Sequence, residues 1–193
     1  MLDDKGLTQA DYVLRDQLIE HIGATSAEKG VITKMLIDWH KGWSKVVVAS
    51  QKQFNLMRRL ECADEFGYCT CCCTGERYPY KEIDAGHFIS ATKQATRFDS
   101  RNVHPQSKHS NNHKLGDDAK IQYTMFMVEN YGRETVEDLQ RLSTTKLSWR
   151  DHKETLIGNR ILWARVIKEQ LVRIDNQEPP TINHGGFGLE VKF

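Results

Sequence analysis

His87 lies in Ile83-Asp84-Ala85-Gly86-His87-Phe88-Ile89, a short β-prone segment, and downstream Asn102-Val103-His104-Pro105-Gln106 runs into the polar stretch from Ser107 to Lys114. An imidazole titrates near physiological pH and can take a proton from water. Carboxylate and carboxamide oxygens are hard donors that suit magnesium or manganese. A histidine base combined with such donors is the equipment of metal-assisted phosphodiester hydrolysis. Asp84 is three residues before His87. That odd separation turns it to the other face of a regular strand, so aiming both at one metal requires a bulge or strand end near Ala85-Gly86. Asn111 and His113 fall in the first turns of a helix starting between Ser107 and Ser110 and project to different sectors. Asn111 is the favoured metal ligand, with Asp84 and His113 the remaining candidates.

The flanking elements read as helices. Thr8-Gln9-Ala10-Asp11 opens an amphipathic stretch (Tyr12, Leu14, Leu18, Ile22) that stops at Gly23. Thr25-Ser26-Ala27-Glu28 has the form of a capping box. The helix it starts carries Val31, Met35, Leu36 and Trp39, breaks near Gly42, and continues through Val46, Val47, Phe54, Met57 and Leu60. Lys45, Lys52, Arg58 and Arg59 are read as a solvated face, with phosphate contact as the alternative. From Gly67 to Gly116 the helical period gives way to Gly, Pro, Cys and His, with β-prone pieces at Tyr78 to Tyr80 and Ile83 to Ile89. Helical periodicity then returns. Ile121, Met125, Phe126 and Val128 form a stripe ended by Gly132; Val136, Leu139 and Leu142 form another; a long helix spans about Asp151 to Ile174. All are read as core-facing, as are Trp39, Trp43, Trp149 and Trp163. The tail from Glu178, with Pro179-Pro180 and Gly185-Gly186, is expected to be mobile or draped.

With 193 residues, one substantial core and a single compact unit are expected. The 27 Lys and Arg against 26 Asp and Glu leave a net charge of +1, so nucleic-acid binding requires a local basic surface. No apolar run of membrane-spanning length and no signal peptide is evident, which predicts a soluble, cytoplasmic protein with no membrane partner. The odd cysteine count, five, points to metal binding or free thiols rather than a disulfide framework.

Asp-Ala-Gly-His, then Arg97-Phe98-Asp99-x-x-Asn102-Val103-His104-x-Gln106, then Asn111-x-His113-Lys114-x-Gly116, resembles the phage NinG or Rap recombination nucleases, a branch of the HNH endonucleases. The resemblance covers roughly residues 50 to 132. It implies an α+β fold in which a small ββα-metal core is flanked by N- and C-terminal helices. The corresponding division is a helical region 1–63, a nuclease core 64–118, helices 119–176 and a tail 177–193. It also implies a magnesium- or manganese-dependent endonuclease acting on D-loops and Holliday junctions in phage recombination, working in the host cytoplasm. On this resemblance His87 matches the general base, Asn102 the loop asparagine that orients the site, Asn111 the last metal ligand, and Lys114 a phosphate contact. Arg97 and Arg101 are further candidates for DNA contact, with a solvated loop as the alternative.

Relatives carry two Cys-x-x-Cys pairs that close a structural zinc site. Here the first survives as Cys69-x-x-Cys72, while the second is replaced by Ser107-Lys108-His109-Ser110. Serine is a poor zinc ligand because its hydroxyl does not readily deprotonate. Natural loss of zinc, engineered replacement and a rearranged site using His109-x-x-x-His113 all stand open, and zinc is predicted to be weakly held or absent. Cys71 and Cys73 are read as free thiols. Two further functional readings are a non-catalytic DNA-binding module on a degenerate HNH fold and a sequence-reading HNH endonuclease. A homodimer would suit an enzyme that cuts symmetric junctions.

Overall fold

A computed structural model describes residues 2–112 and 116–180; His113, Lys114 and the tail beyond Pro180 lie outside the described residues. The fold is α+β and mostly helical, with two small antiparallel sheets. The chain divides into two compact units, residues 1–54 with 148–166 and residues 55–147 with 167–193, in place of the single unit expected from its length.

The first unit is helical. Helix α1 (Gln9–Ile22) is opened by a capping box between Thr8 and Asp11 and closed by Gly23 at φ 57, the left-handed conformation that glycine adopts without strain. Helix α2 (Ser26–Glu61) starts at the Thr25/Glu28 box and leaves helical geometry at Gly42. Both starts and both interruptions follow the sequence signals. Leu7, Leu18, Ile32, Met35, Leu36, Ile157 and Ile161 form the core. The last two lie on α5 (Lys153–Asp175). Asp11 has no exposure; burial pushes its carboxyl up, but Lys153 at 2.6 Å, Thr8 and His40 outweigh this and hold it well below the usual carboxylate range. Trp39, Trp149 and Trp163 are buried as expected, whereas Trp43 faces outward at 37% exposure.

The second unit carries the sheets. Strand β1 (Tyr68–Thr70) pairs with β2 (Arg77–Pro79), and β3 (Asp84–His87) pairs with β4 (Val103–Gln106). A short helix α3 (Lys108–Asn111) follows β4, and α4 (Gly116–Ser143) bends at Gly132, whose φ of 81 interrupts the helix where the sequence places a stop. Cys72, Tyr123, Met127, Val136 and Leu139 pack one cluster, with Phe88 and Tyr131 against it; Ala63, Cys69, Cys71 and Ile83 pack another. The stripe expected to face the core is corrected here. Ile121, Met125 and Val128 are 55%, 50% and 43% exposed, and the core instead takes Ala119, Tyr123 and Met127. The two stripes overlap along one helix, and the one carrying Tyr123 wins because its ring and hydroxyl both find partners on β3 and β4.

Candidate active site

The β3–β4 pair runs residue for residue, Asp84 opposite Gln106 through His87 opposite Val103, with no bulge. The chain leaves β3 after His87 and returns at Asn102, and that asparagine closes the loop. Its Oδ1 accepts from Ile89 N at 2.7 Å, and its Nδ2 donates to Ile89 O and Thr96 O, both at 2.9 Å. With no exposed surface and its carboxamide given to main chain, Asn102 is a positioning residue. Held this way, Asn102 fixes the loop that leads away from His87.

His87 is half-buried, and its Nε2 lies 3.0 Å from Arg97 O. A carbonyl only accepts, so Nε2 carries the hydrogen and Nδ1 is the basic nitrogen of the neutral ring. Burial holds the imidazole below its ordinary value of 6.5, against an opposing pull from the Arg97 carbonyl. Such a ring is neutral at pH 7 and oriented by a fixed acceptor, which is what a general base requires.

Asp84 points elsewhere. Asn111 Nδ2 donates to its Oδ2 at 3.0 Å, joining the end of α3 to the start of β3. The bulge needed to bring Asp84 and His87 onto one face is absent, so alternation sends them to opposite faces. Between them, Gly86 admits nothing larger: a Cβ there would lie 2.0 Å from Gln106 Oε1, and Tyr123 OH donates to Gly86 O at 2.9 Å. Among the described residues no group of three or more His, Cys, Asp or Glu side chains is placed to hold a metal. Asp84 carries carboxylate oxygens and Asn111 a carboxamide oxygen, hard donors of the kind magnesium takes together with water and phosphate oxygens, although the atom Asn111 turns to Asp84 here is its Nδ2. The residues present therefore fit magnesium or manganese in donor chemistry. His113 and Lys114 lie outside the described residues.

The basic residues divide sharply. Lys45 and Lys52 are exposed, but Arg58 and Arg59 are not the solvated face expected. Arg58 is buried, pairs with Glu61 and donates from Nε to Val103 O at 3.1 Å, fastening α2 to β4. Arg59 Nη1 donates to Tyr80 O and Ile83 O, both at 3.0 Å, holding the link from β2 to β3. Arg58 falls four residues after Phe54 and one after Met57, on the apolar stripe itself, and that spacing was the available signal. Arg101 is paired with Asp99 (2.6 Å) and Asp138 (2.9 Å), with 40% of its side chain exposed. Arg97 is partly buried, its guanidinium 5.7 Å from the Phe98 ring centre and its carbonyl on His87.

The family described as Bacteriophage Lambda NinG protein matches residues 15–162. This chain belongs to the NinG family. The match extends on both sides of the stretch over which the motifs carry the resemblance, and it places the chain among phage recombination-related proteins. No curated protein and no solved structure matches it. Among the described residues no helix is long and apolar enough to cross a membrane.

The cysteines of this NinG chain are not arranged as Cys69-x-x-Cys72 suggests. Cys69 Sγ lies 3.1 Å from Arg59 O, in the cluster with Ala63 and Ile83, while Cys72 packs with Tyr123 and Met127. Cys71, read as a free thiol, is the one that meets the serines: Ser107 N donates to its Sγ at 3.2 Å. Ser107 caps α3, accepting from Ser110 N, and the two hydroxyls lie 2.9 Å apart. Among the described residues no three Cys, His, Asp or Glu side chains are placed to hold a metal, and serine hydroxyls that bond one another do not fit structural zinc.

Proposed function

We propose that this NinG-family chain is a divalent-metal-dependent DNA endonuclease of the HNH type, cutting branched recombination intermediates such as D-loops and Holliday junctions. The observation that carries the reading is His87: a neutral imidazole on a strand end, its Nε2–H committed to the Arg97 carbonyl and its Nδ1 basic. Nδ1 takes the proton of an attacking water, and the fixed Nε2 bond keeps the ring turned for that transfer. In-line displacement at phosphorus puts the attacking and leaving oxygens on opposite sides. The hard donors of this reading are the Asp84 carboxylate and the Asn111 carboxamide, which meet at the start of β3. Magnesium or manganese bound there would neutralise charge on the phosphate and leaving oxygen. Asn102, Gly86 and Tyr123 hold the strand end that carries the base, and Lys114, Arg97 and Arg101 are the candidate phosphate contacts.

The test is cleavage of labelled linear duplex, single strand, D-loop and four-way junction with magnesium or manganese, comparing the chain with His87→Ala. Metal-dependent cutting of branched substrates that disappears in the variant, with DNA binding retained, supports the proposal. Binding without cutting by either protein supports the non-catalytic DNA module, the reading that loss of the second cysteine pair favours. Cutting retained in His87→Ala refutes the assigned base.

A further inference from the structure

The strand–turn–helix junction at the heart of the second unit is tied together at four side chains, Cys71, Thr74, Ser107 and Ser110. The turn after β1 is closed by Gly75 N on Cys71 O (2.9 Å) and Cys71 N on Glu76 O (2.8 Å), with Gly75 at φ +72. In this turn Thr74 Oγ1 accepts from Glu76 N at 3.3 Å and stands beside the Cys71 thiol, which also meets the Cys73 thiol. Cys72 N donates to Pro105 O at 2.9 Å, seating the turn on β4 directly before the serines. Ser107 N then reaches Cys71 Sγ, and Ser107 Oγ bonds both Ser110 N and Ser110 Oγ. Cys71, Ser107 and Ser110 are 2%, 4% and 2% exposed, so the bonds among these three are made away from water, where an unmet polar group is costly, while Thr74 is exposed at the edge.

Each half has two residues between its polar members, Cys-x-x-Thr and Ser-x-x-Ser, the spacing by which paired thiolates hold tetrahedral zinc. We infer that Cys71, Thr74, Ser107 and Ser110 occupy the four corners of a zinc knuckle whose metal has been replaced by hydrogen bonds, so that this chain folds without structural zinc. The inference moves the first half of the knuckle from Cys69-x-x-Cys72 to Cys71-x-x-Thr74. It is independent of the proposed nuclease activity.

The experiment measures zinc in full-length protein expressed in zinc-supplemented medium and purified without chelator, then compares melting with and without EDTA in the absence of magnesium. Zinc far below one per chain and an unchanged Tm are expected; one tightly held zinc per chain, or a Tm that falls with EDTA, overturns the inference. A second measurement needs no interpretation of stability. Thr74→Cys/Ser107→Cys/Ser110→Cys should bind one cobalt ion with the charge-transfer absorption of tetrahedral thiolate coordination. Adding Cys71→Ser should weaken that band, while adding Cys69→Ser should leave it. Dependence on Cys69 in place of Cys71, or no cobalt binding by a triple variant that retains the wild-type circular dichroism spectrum, refutes the assignment of corners.

Discussion

Asn102→Asp changes one atom type in a fully buried side chain, and the structure fixes what that does. The Oδ1 acceptor for Ile89 N survives, but the two N–H bonds to Ile89 O and Thr96 O are replaced by an oxygen held about 2.9 Å from two carbonyls. The Ile89 carbonyl loses its donor while the Thr96 carbonyl keeps Asp99 N at 3.2 Å; one unmet carbonyl costs roughly 1–3 kcal/mol, and a carboxylate held against both adds to it, so a loss of about 3 kcal/mol is expected at pH 7. Against a typical net stability of about 5–15 kcal/mol the variant remains folded but weakened. Asn102→Ala should cost less than Asn102→Asp, because an empty pocket lets water reach the carbonyls without introducing a charge. The sign of the pH dependence follows. The introduced carboxyl has a folded pKa above its unfolded value of about 3.9, so the penalty is full above the folded value and shrinks as pH falls through it, when a protonated oxygen can donate again. Urea unfolding of wild type and both variants between pH 4 and pH 8 measures this. A penalty smaller than that of Asn102→Ala, or one that does not change with pH, would refute the claim that Asn102 closes the loop by donating to those two carbonyls.

Gly86→Ala should destabilise by about 1–3 kcal/mol through collision with Gln106, and Gln106→Ala in the same chain should recover part of that loss, measurable as coupling in a double-mutant cycle. Arg58→Met should cost about 3–5 kcal/mol because it strands Glu61 in the interior; since burial already pushes the Glu61 carboxyl up, adding Glu61→Gln should restore more than it removes. Lys153→Met should lower stability by about 1–3 kcal/mol, and because Asp11 is held below its ordinary 3.8 the difference from wild type should be complete above that value and fade in acid. On the proposed function, with the His87 imidazole held below its ordinary 6.5 by burial, the acid limb of the rate of DNA cleavage should be centred below pH 6.5. An acid limb centred above pH 6.5 would contradict a buried neutral imidazole.

Sequence signals with a local cause were legible. The two capping boxes, the stop at Gly23 and the interruptions at Gly42 and Gly132 all stand where the residues put them, because each depends on one backbone conformation or one pair of nearby groups. His87 on a strand and a helix start between Ser107 and Ser110 were readable for the same reason. What depended on tertiary competition was not. Strand β4 contains Pro105 and shows no alternation, being buried along its whole length. The choice between two apolar stripes on α4 turned on partners for Tyr123, and the choice among clustered cysteines turned on which thiol the Ser107 amide meets. Arg58 looked like a surface base because its charge was weighed above its position on the stripe.

The bonds from Asn102 to Ile89 and Thr96 have a consequence for how this region can change over evolutionary time. They cinch the excursion between β3 and β4 at its base, so the strands do not depend on the loop's length to find their register. Ser90, Thr92 and Lys93, beyond the cinch, are exposed. Doubling the length of a flexible loop adds only about 0.6 kcal/mol of closure entropy. Insertions between Ser90 and Gln94 can therefore accumulate at little thermodynamic cost, reshaping whatever the loop meets while the imidazole beside it keeps its place.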